Sequence, residues 1–288
     1  MSRKKLIINA DGFGFTFGNN RGILECLEVG VVKSVSVNAN FPAVEEVTKL
    51  KDFPDVSVGI HLNLSVGPCV SEPKDIPDLV DEKGEFLGSE FDRKALRGQI
   101  PHEQMVRELT AQVEKLTEYG IEITHWDSHQ TKHLYRPFFK AAIEVAKKFN
   151  IQRMRTHDHH IFSMGRCRKI RATIHLLVHP RRAFIYAASK YLMRKARRAG
   201  MRMADRLITP GLLDSARKYQ YEFWEQLFWK LPEGVSEIYA HPGYPDETLR
   251  NYSRYVDERL EELKILRDPA LRQKALQAGV ELISFREV

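Results

Sequence analysis

Short apolar runs of β type alternate along this chain with longer stretches of helical pattern. The runs near Leu6–Asn9, Ser34–Asn38, Val56–Leu62, Ile121–Trp126, Ile151–Arg155, Ser236–Ala240 and Val280–Phe285 predict strands. Stretches such as Arg21–Val29, His102–Tyr119 and Pro137–Phe149 are long enough for crossover helices, while Gly67–Asp81 and Gly84–Gly88 read as loops. This alternation predicts an α/β fold with a mostly parallel sheet, open or closed into a barrel. No internal repeat is visible.

The polar residues fall at telling places in that pattern. Asp11 follows the first run, Asn38 and Asn40 end the second, and His61 lies in the third. Asp127 and His129 follow the fourth, Arg155 ends the fifth, and His241 follows the sixth. In a parallel sheet the C-terminal strand ends share one face, where the active sites of such folds lie. One polar strand end means little. Several together are hard to explain by core packing.

Composition narrows the picture. A length of 288 residues suits one large domain or two small ones, and α/β barrels of this size are ordinary single domains. No apolar run is long enough to cross a bilayer. The basic N-terminus reaches Asp11 within a few residues and shows no small-residue cleavage site, so no signal peptide is expected. Cys26, Cys69 and Cys167 are odd in number and form no CxxC pair, which predicts buried thiols in a reducing, cytoplasmic setting.

Charge is uneven. Residues 166–206 hold thirteen Lys/Arg against one acid, Asp205, a local +12 in a chain whose total is +7. The remainder therefore carries −5, which argues against a protein that binds nucleic acid over its whole surface. In the stretch 181–198, basic residues alternate with Phe184, Ile185, Ala188, Tyr191, Leu192 and Ala196. That spacing makes a helix with an apolar and a basic face, either packed on the body and solvated or lying peripherally on the inner membrane surface.

The strand-end residues suit metal-assisted hydrolysis. His61 and His129 are candidate ligands from different strands, since neutral imidazoles suit Zn²⁺ and similar divalent ions. A carboxylate can take a proton from an activated water, and a histidine can protonate a leaving nitrogen; Asp11 and His241 are of the right types. Asp127, two residues before His129, could orient a ligand. A lone histidine is more often a core or surface residue, and His125, His133, His157, His159 and His160 stay with that bland reading. No GxSxG, GxGxxG or Walker pattern is present.

Five blocks, in order, carry a family resemblance: "NADGFGFTFGNNRGILECLEVGVVKSVSVNANFPA", "VGIHLNLSVGPCV", "THWDSHQTKH", "EIYAHPGYPDETL" and "GVELISFREV". Together they resemble the YdjC-like carbohydrate deacetylases, also called the ChbG/HpnK family, along nearly the whole chain. The likeness is weakest from Arg166 to Lys218, where only the Arg-rich character is similar to hopanoid-associated members. The resemblance implies one domain over 1–288, a distorted (β/α) TIM-like barrel with a basic amphipathic insertion around 166–206. It implies removal of acetyl from an N-acetylated sugar, an oligosaccharide or a glycolipid, with a divalent metal, Zn or Mg. It places Asp11 on the general base, His61 and His129 on two metal ligands, and His241 on the general acid. Arg155 matches a family arginine at the active face, and Asn38 joins it and Asp127 as substrate-binding or supporting residues. No nucleic-acid partner is expected, and a homo-oligomer is left open.

One position departs from the family. Its members carry two adjacent aspartates, the second ligating the metal, and here that second position is Gly12. Three accounts stay open: Asp11 moves over to ligate, Asp127 substitutes, or the chain is a catalytically impaired sugar- or lipid-binding relative or an altered sequence.

Overall fold

The computed structural model describes residues 4–165, 168–211 and 216–288. Among the described residues eight strands make one sheet: β1 (Lys4–Phe13), β2 (Ser34–Val37), β3 (Ser57–Leu62), β4 (His125–Ser128), β5 (His159–Phe162), β6 (Arg206–Pro210), β7 (Gly234–Ala240) and β8 (Val280–Leu282). Their order is β4-β3-β2-β1-β7-β6-β5, with β8 beside the start of β1, and every ladder is parallel. The sheet curls into a half-barrel surrounded by helices, as the strand–helix alternation predicts.

The helices are α1 (Phe17–Val29), α2 (Ser89–Leu96), α3 (His102–Glu118), α4 (Arg136–Lys148), α5 (Arg168–Val178), α6 (Pro180–Arg198), α7 (Tyr221–Lys230), α8 (Glu247–Tyr252), α9 (Asp257–Leu266) and α10 (Pro269–Gln277). Each of the longer crossover helices buries one stripe. In α4 the stripe is Phe138, Phe139, Ala141, Ala142, Val145 and Ala146. Burying a large side chain of this kind stabilises the fold by about 1.5–3 kcal/mol.

Alternation along the strands decides what faces the barrel interior. Leu6, Ile8 and Ala10 of β1, Val35 and Val37 of β2, Ile60 and Leu62 of β3, and Ile238 and Ala240 of β7 join the main apolar core. The residues between them form the opposite face. Register sets Asn9 beside Ser34 and Tyr239, Asp11 beside Ser36, Ser36 beside Gly59, Gly59 beside His125, and His61 beside Asp127. The enclosed face of the sheet is therefore polar, and its groups bond to one another across strands, as buried polar groups must. Below them the face is closed by Ile7, Ile283 and Phe285, with the Phe285 ring stacked on His125 at 3.9 Å between centroids. Gly59 makes room for that histidine, since a Cβ there would fall 2.4 Å from its ring.

Several boundaries differ from the sequence pattern: β1 runs on to Phe13, and β8 stops at Leu282, short of Phe285. The fourth strand starts at His125, because residues 121–124 form the entry to it. Residues 151–155 form isolated bridges rather than a ladder: Met154 pairs with Trp126, and Arg153 with Arg202, so this segment links β4 toward the other arm of the curled sheet. Strands β5 and β6 were not legible, being short and led by His159 and Arg206. Of the stretch 166–206, the described residues 168–206 supply α5, α6 and the first residue of β6, and so lie between β5 and β6 in the chain. On α6, Leu192 and Ala196 are buried as the pattern predicts, whereas Phe184, Ile185 and Tyr191 are exposed. Cys26 is buried and Cys69 partly buried, both as free thiols; Cys167 and Arg166 lie outside the described residues.

Candidate active site

A cavity of about 150 Å³ opens at the C-terminal strand ends, lined among others by Asp11, Gly12, Asn38, His61, His129, Arg155, His241 and Arg259. All the strand-end residues that the sequence singled out lie here except Asp127 and Asn40. Asp127 sits directly behind His61, and Asn40 braces the loop through Val66 and Pro68 carbonyls.

Arg155 organises the floor. Its Nη1 and Nη2 donate to Asp11 Oδ2 and Oδ1 at 2.7 and 2.6 Å, and its Nε donates to Glu237 Oε1 at 2.6 Å. Nη1 also lies 2.7 Å from Asp127 Oδ2. One guanidinium thus holds three buried carboxyl groups, which planar bidentate geometry permits and a lysine could not match. Burial alone would lower the Arg155 pKa, but Asp11, Asp127 and Glu237 raise it well above its ordinary value. Burial pushes Asp127 up, yet Arg155 and His61 outweigh it and hold it well below the usual carboxylate range. Glu237 has the weakest share: burial pushes it up to about 7 despite Arg155, and Asp127 and Asp11 add to the push. Sequence reading missed Glu237, which looks like any residue within "SEIYA".

Smaller polar groups fix the carboxylates from the other side. Asn9 Nδ2 donates to Asp11 Oδ1 at 2.6 Å and to Ser36 Oγ at 2.9 Å, and Ser36 Oγ donates to Asp127 Oδ2 at 3.0 Å. Asp127 Oδ1 meets His61 Nδ1 at 2.7 Å. That contact sets the ring's orientation and makes Nε2 its acceptor nitrogen, the arrangement by which a carboxylate prepares a metal-binding imidazole.

His129 stands across from it. The two rings are 5.5 Å apart between centroids and nearly perpendicular. His129 Nε2 is buried and has no hydrogen-bond partner among the described residues. Burial first, then the neighbouring His61, Arg259 and His241, lower its pKa well below the ordinary histidine value, so the ring is neutral. The loop that follows carries Gln130 and Thr131 in the left-handed region, φ 51° and 57°. Such backbone costs about 1–3 kcal/mol per residue and persists where surrounding structure imposes it, here on the cavity wall.

His241 comes from the turn after β7. Its backbone N–H donates to Glu262 Oε2 at 2.6 Å, and its Nδ1 lies 3.7 Å from the same oxygen. Burial lowers its pKa, partly countered by Glu262. Glu262 also receives Lys218 Nζ at 2.7 Å and the Tyr255 hydroxyl at 2.8 Å on Oε1. Sequence reading missed Glu262 and Arg259, because "DERLEELKIL" reads as a solvated charged helix. Of the histidines left with the bland reading, His125, His133 and His157 are buried in the core, His159 is half-buried and His160 is exposed. His133 Nδ1 meets Ser128 Oγ at 2.5 Å, His159 Nδ1 meets Thr209 Oγ1 at 2.8 Å, and His125 is enclosed under Phe285.

The residues present fit a divalent ion in part. Two imidazoles, one with an orphaned buried Nε2 and one oriented by a carboxylate, are suitable donors. Asp11, His61 and Asp127 each offer a ligand atom within 4.8 Å of the others. Gly12 offers none. It lies in a bulge at the end of β1, where the pairing steps from Asp11 opposite Ser36 to Phe13 opposite Val37, and its φ of +105° is one that L side chains rarely adopt. Arg155 also restrains Asp11, so a swing of that carboxylate toward an ion would break a two-point fork.

A polar, histidine- and carboxylate-bearing pocket at the C-terminal strand ends of a parallel half-barrel defines an α/β barrel protein of enzyme type. The chain belongs to the YdjC-like protein family, whose model matches residues 5–277. It is 31% identical over 290 residues to a carbohydrate deacetylase of Thermoanaerobacter pseudethanolicus, covering 98% of each chain. A carbohydrate deacetylase of Geobacillus stearothermophilus is 32% identical over 284 residues, covering 98% of this chain and 96% of that one. The fold matches the crystal structure of a proposed cellobiose-phosphate cleavage protein of Enterococcus faecalis V583, with a TM-score of 0.77, 24% identity and 99% coverage of both chains.

Proposed function

We propose that this protein is a metal-dependent carbohydrate deacetylase that hydrolyses the acetamide of an N-acetylated sugar. The observation that carries the reading is the pair His61 and His129, one ring fixed by Asp127 and the other with a buried, partnerless Nε2, in one cavity with Asp11 and His241. Relatives of similar length that bear the name carbohydrate deacetylase support it.

His61 and His129 would hold Zn²⁺ or Mg²⁺, which when bound supplies Lewis-acid activation of water and of the acetyl carbonyl. The chain's own residues do the rest. Asp11, held in place by Arg155 and Asn9, receives the proton lost by the attacking water. The water oxygen joins the acetyl carbon, the C–N bond breaks, and His241 delivers a proton to the departing nitrogen. Acetate and a free amino sugar result. Asn38 Oδ1, buried without a partner, accepts a hydrogen bond from the substrate.

The finer substrate class we propose is a lipid-linked sugar. Ile170, Ile174, Leu177, Phe184 and Ile185 are exposed on α5 and α6 within the most basic part of the chain, a surface suited to a peripheral contact with anionic lipid. Among the described residues no helix is long and apolar enough to cross a membrane. A second reading, a sugar-binding relative without turnover, is favoured by Gly12 alone. Acetate release from N-acetylglucosamine oligomers and from an N-acetylglucosaminyl lipid distinguishes them: release supports the enzyme reading, while saturable sugar binding without release supports the second.

A further inference from the structure

The polar groups around Gly12 are unsatisfied in a way the hydrolytic reading does not use. Arg259 of α9 is almost fully buried, and its Nε donates to the Tyr255 carbonyl at 2.9 Å. Its Nη1 has no partner, and among the described residues the guanidinium makes no ion pair. That nitrogen lies 3.3 Å from where a Cβ on Gly12 would stand. Asn19 Nδ2 lies 3.7 Å from the same point, and both Asn19 side-chain polar atoms are buried without partners. Two elements, α1 and α9, therefore aim unpaired donors at the space a side chain on residue 12 would fill.

A buried guanidinium without a counterion is costly, and nearby carboxylates do not relieve it by contact. Glu262 is engaged by Lys218, Tyr255 and the His241 backbone. Asp11 is engaged by Arg155 and Asn9. Asp246 caps α8 through Leu249 N and also receives Gly18 N. The cavity reaching Gly12 and Arg259 is about 150 Å³, room for a group of a few heavy atoms beside them.

We propose that Gly12, Arg259 and Asn19 form a binding site for a small monocarboxylate such as acetate or formate, seated where an acidic side chain on residue 12 would lie. The planar carboxylate matches the guanidinium and the amide donor, and no substituent on Gly12 blocks it. The site depends on these three residues and not on the deacetylase reading.

Calorimetric titration of the full chain, freed of metal by chelator and dialysis, tests it at constant ionic strength. Absence of metal keeps an ion-bound carboxylate from being mistaken for this site. Sodium acetate and formate should bind saturably with Kd of about 1–10 mM, and Arg259→Gln and Arg259→Lys, each checked for folding by circular dichroism, should weaken binding at least about ten-fold. No saturable binding up to about 100 mM, unchanged affinity in a folded variant, or equal binding of phosphate and chloride would overturn the proposal. Crystals of the unaltered protein soaked in sodium acetate give an answer independent of any variant. Planar carboxylate density between Gly12 and Arg259 supports the site, and its absence there contradicts it.

Discussion

Arg155 holds Asp11 by a two-point fork, Nη1 to Oδ2 at 2.7 Å and Nη2 to Oδ1 at 2.6 Å, with both side chains almost wholly enclosed. The fork decides the position of the carboxylate before any substrate arrives. It also explains why one arginine can support an interior holding Asp11, Asp127 and Glu237 together.

Removing that guanidinium should therefore unfold more than it disables. Arg155→Met leaves buried carboxylates uncompensated, and we expect a loss of about 3–5 kcal/mol of stability. Chemical denaturation at neutral pH measures it. A loss below about 1 kcal/mol would mean that the cluster carries no net charge to compensate.

Asp127 should matter through His61. Asp127→Asn removes the acceptor that sets the ring's tautomer, and zinc affinity should fall by about 10–100-fold. Competition titration against a chelating dye reads this directly. Unchanged affinity would remove His61 from the metal site or Asp127 from behind it.

Much of this site was legible in the sequence because period-two strands put Asp11, His61 and Asp127 at the ends of apolar runs, where a parallel sheet gathers them. Arg155 and His241 were legible for the same reason. Asn9, Ser34 and Ser36 were not, since small polar residues inside a strand look alike whether they face a core or a network. Glu237 was hidden by the same ambiguity. Arg259 and Glu262 were hidden because a helix rich in both charges gives no sign of which side turns inward. The curvature that turns one sheet face into a polar interior is a tertiary fact, carried by register between strands far apart in the chain.

Glu237 makes stability depend on pH. Its folded pKa of about 7 stands above an ordinary 4.5. Its contribution is fully present below the ordinary value, is lost as pH rises through the folded value, and is constant above it. Glu237→Gln lacks this dependence. Relative to the unaltered protein, the variant should therefore gain on the order of 3 kcal/mol between pH 4.5 and pH 8. A difference that stays constant over that range would show that Glu237 ionises normally.

His241 should act on the chemical step. His241→Ala should lower kcat by about 10²–10⁴ while KM changes little. Steady-state kinetics on an N-acetylated sugar separate the two. An unaltered kcat would exclude His241 as the proton donor.

The central claim is that hydrolysis of the acetamide needs an ion held by His61 and His129. The direct measurement is acetate release from N-acetylglucosamine oligomers by chelator-stripped protein, before and after titration with Zn²⁺, beside His129→Ala. Stripped protein should release no acetate, about one equivalent of metal should restore release, and the variant should stay inactive. Equal release by stripped and reconstituted protein would contradict the claim, as would full activity in His129→Ala.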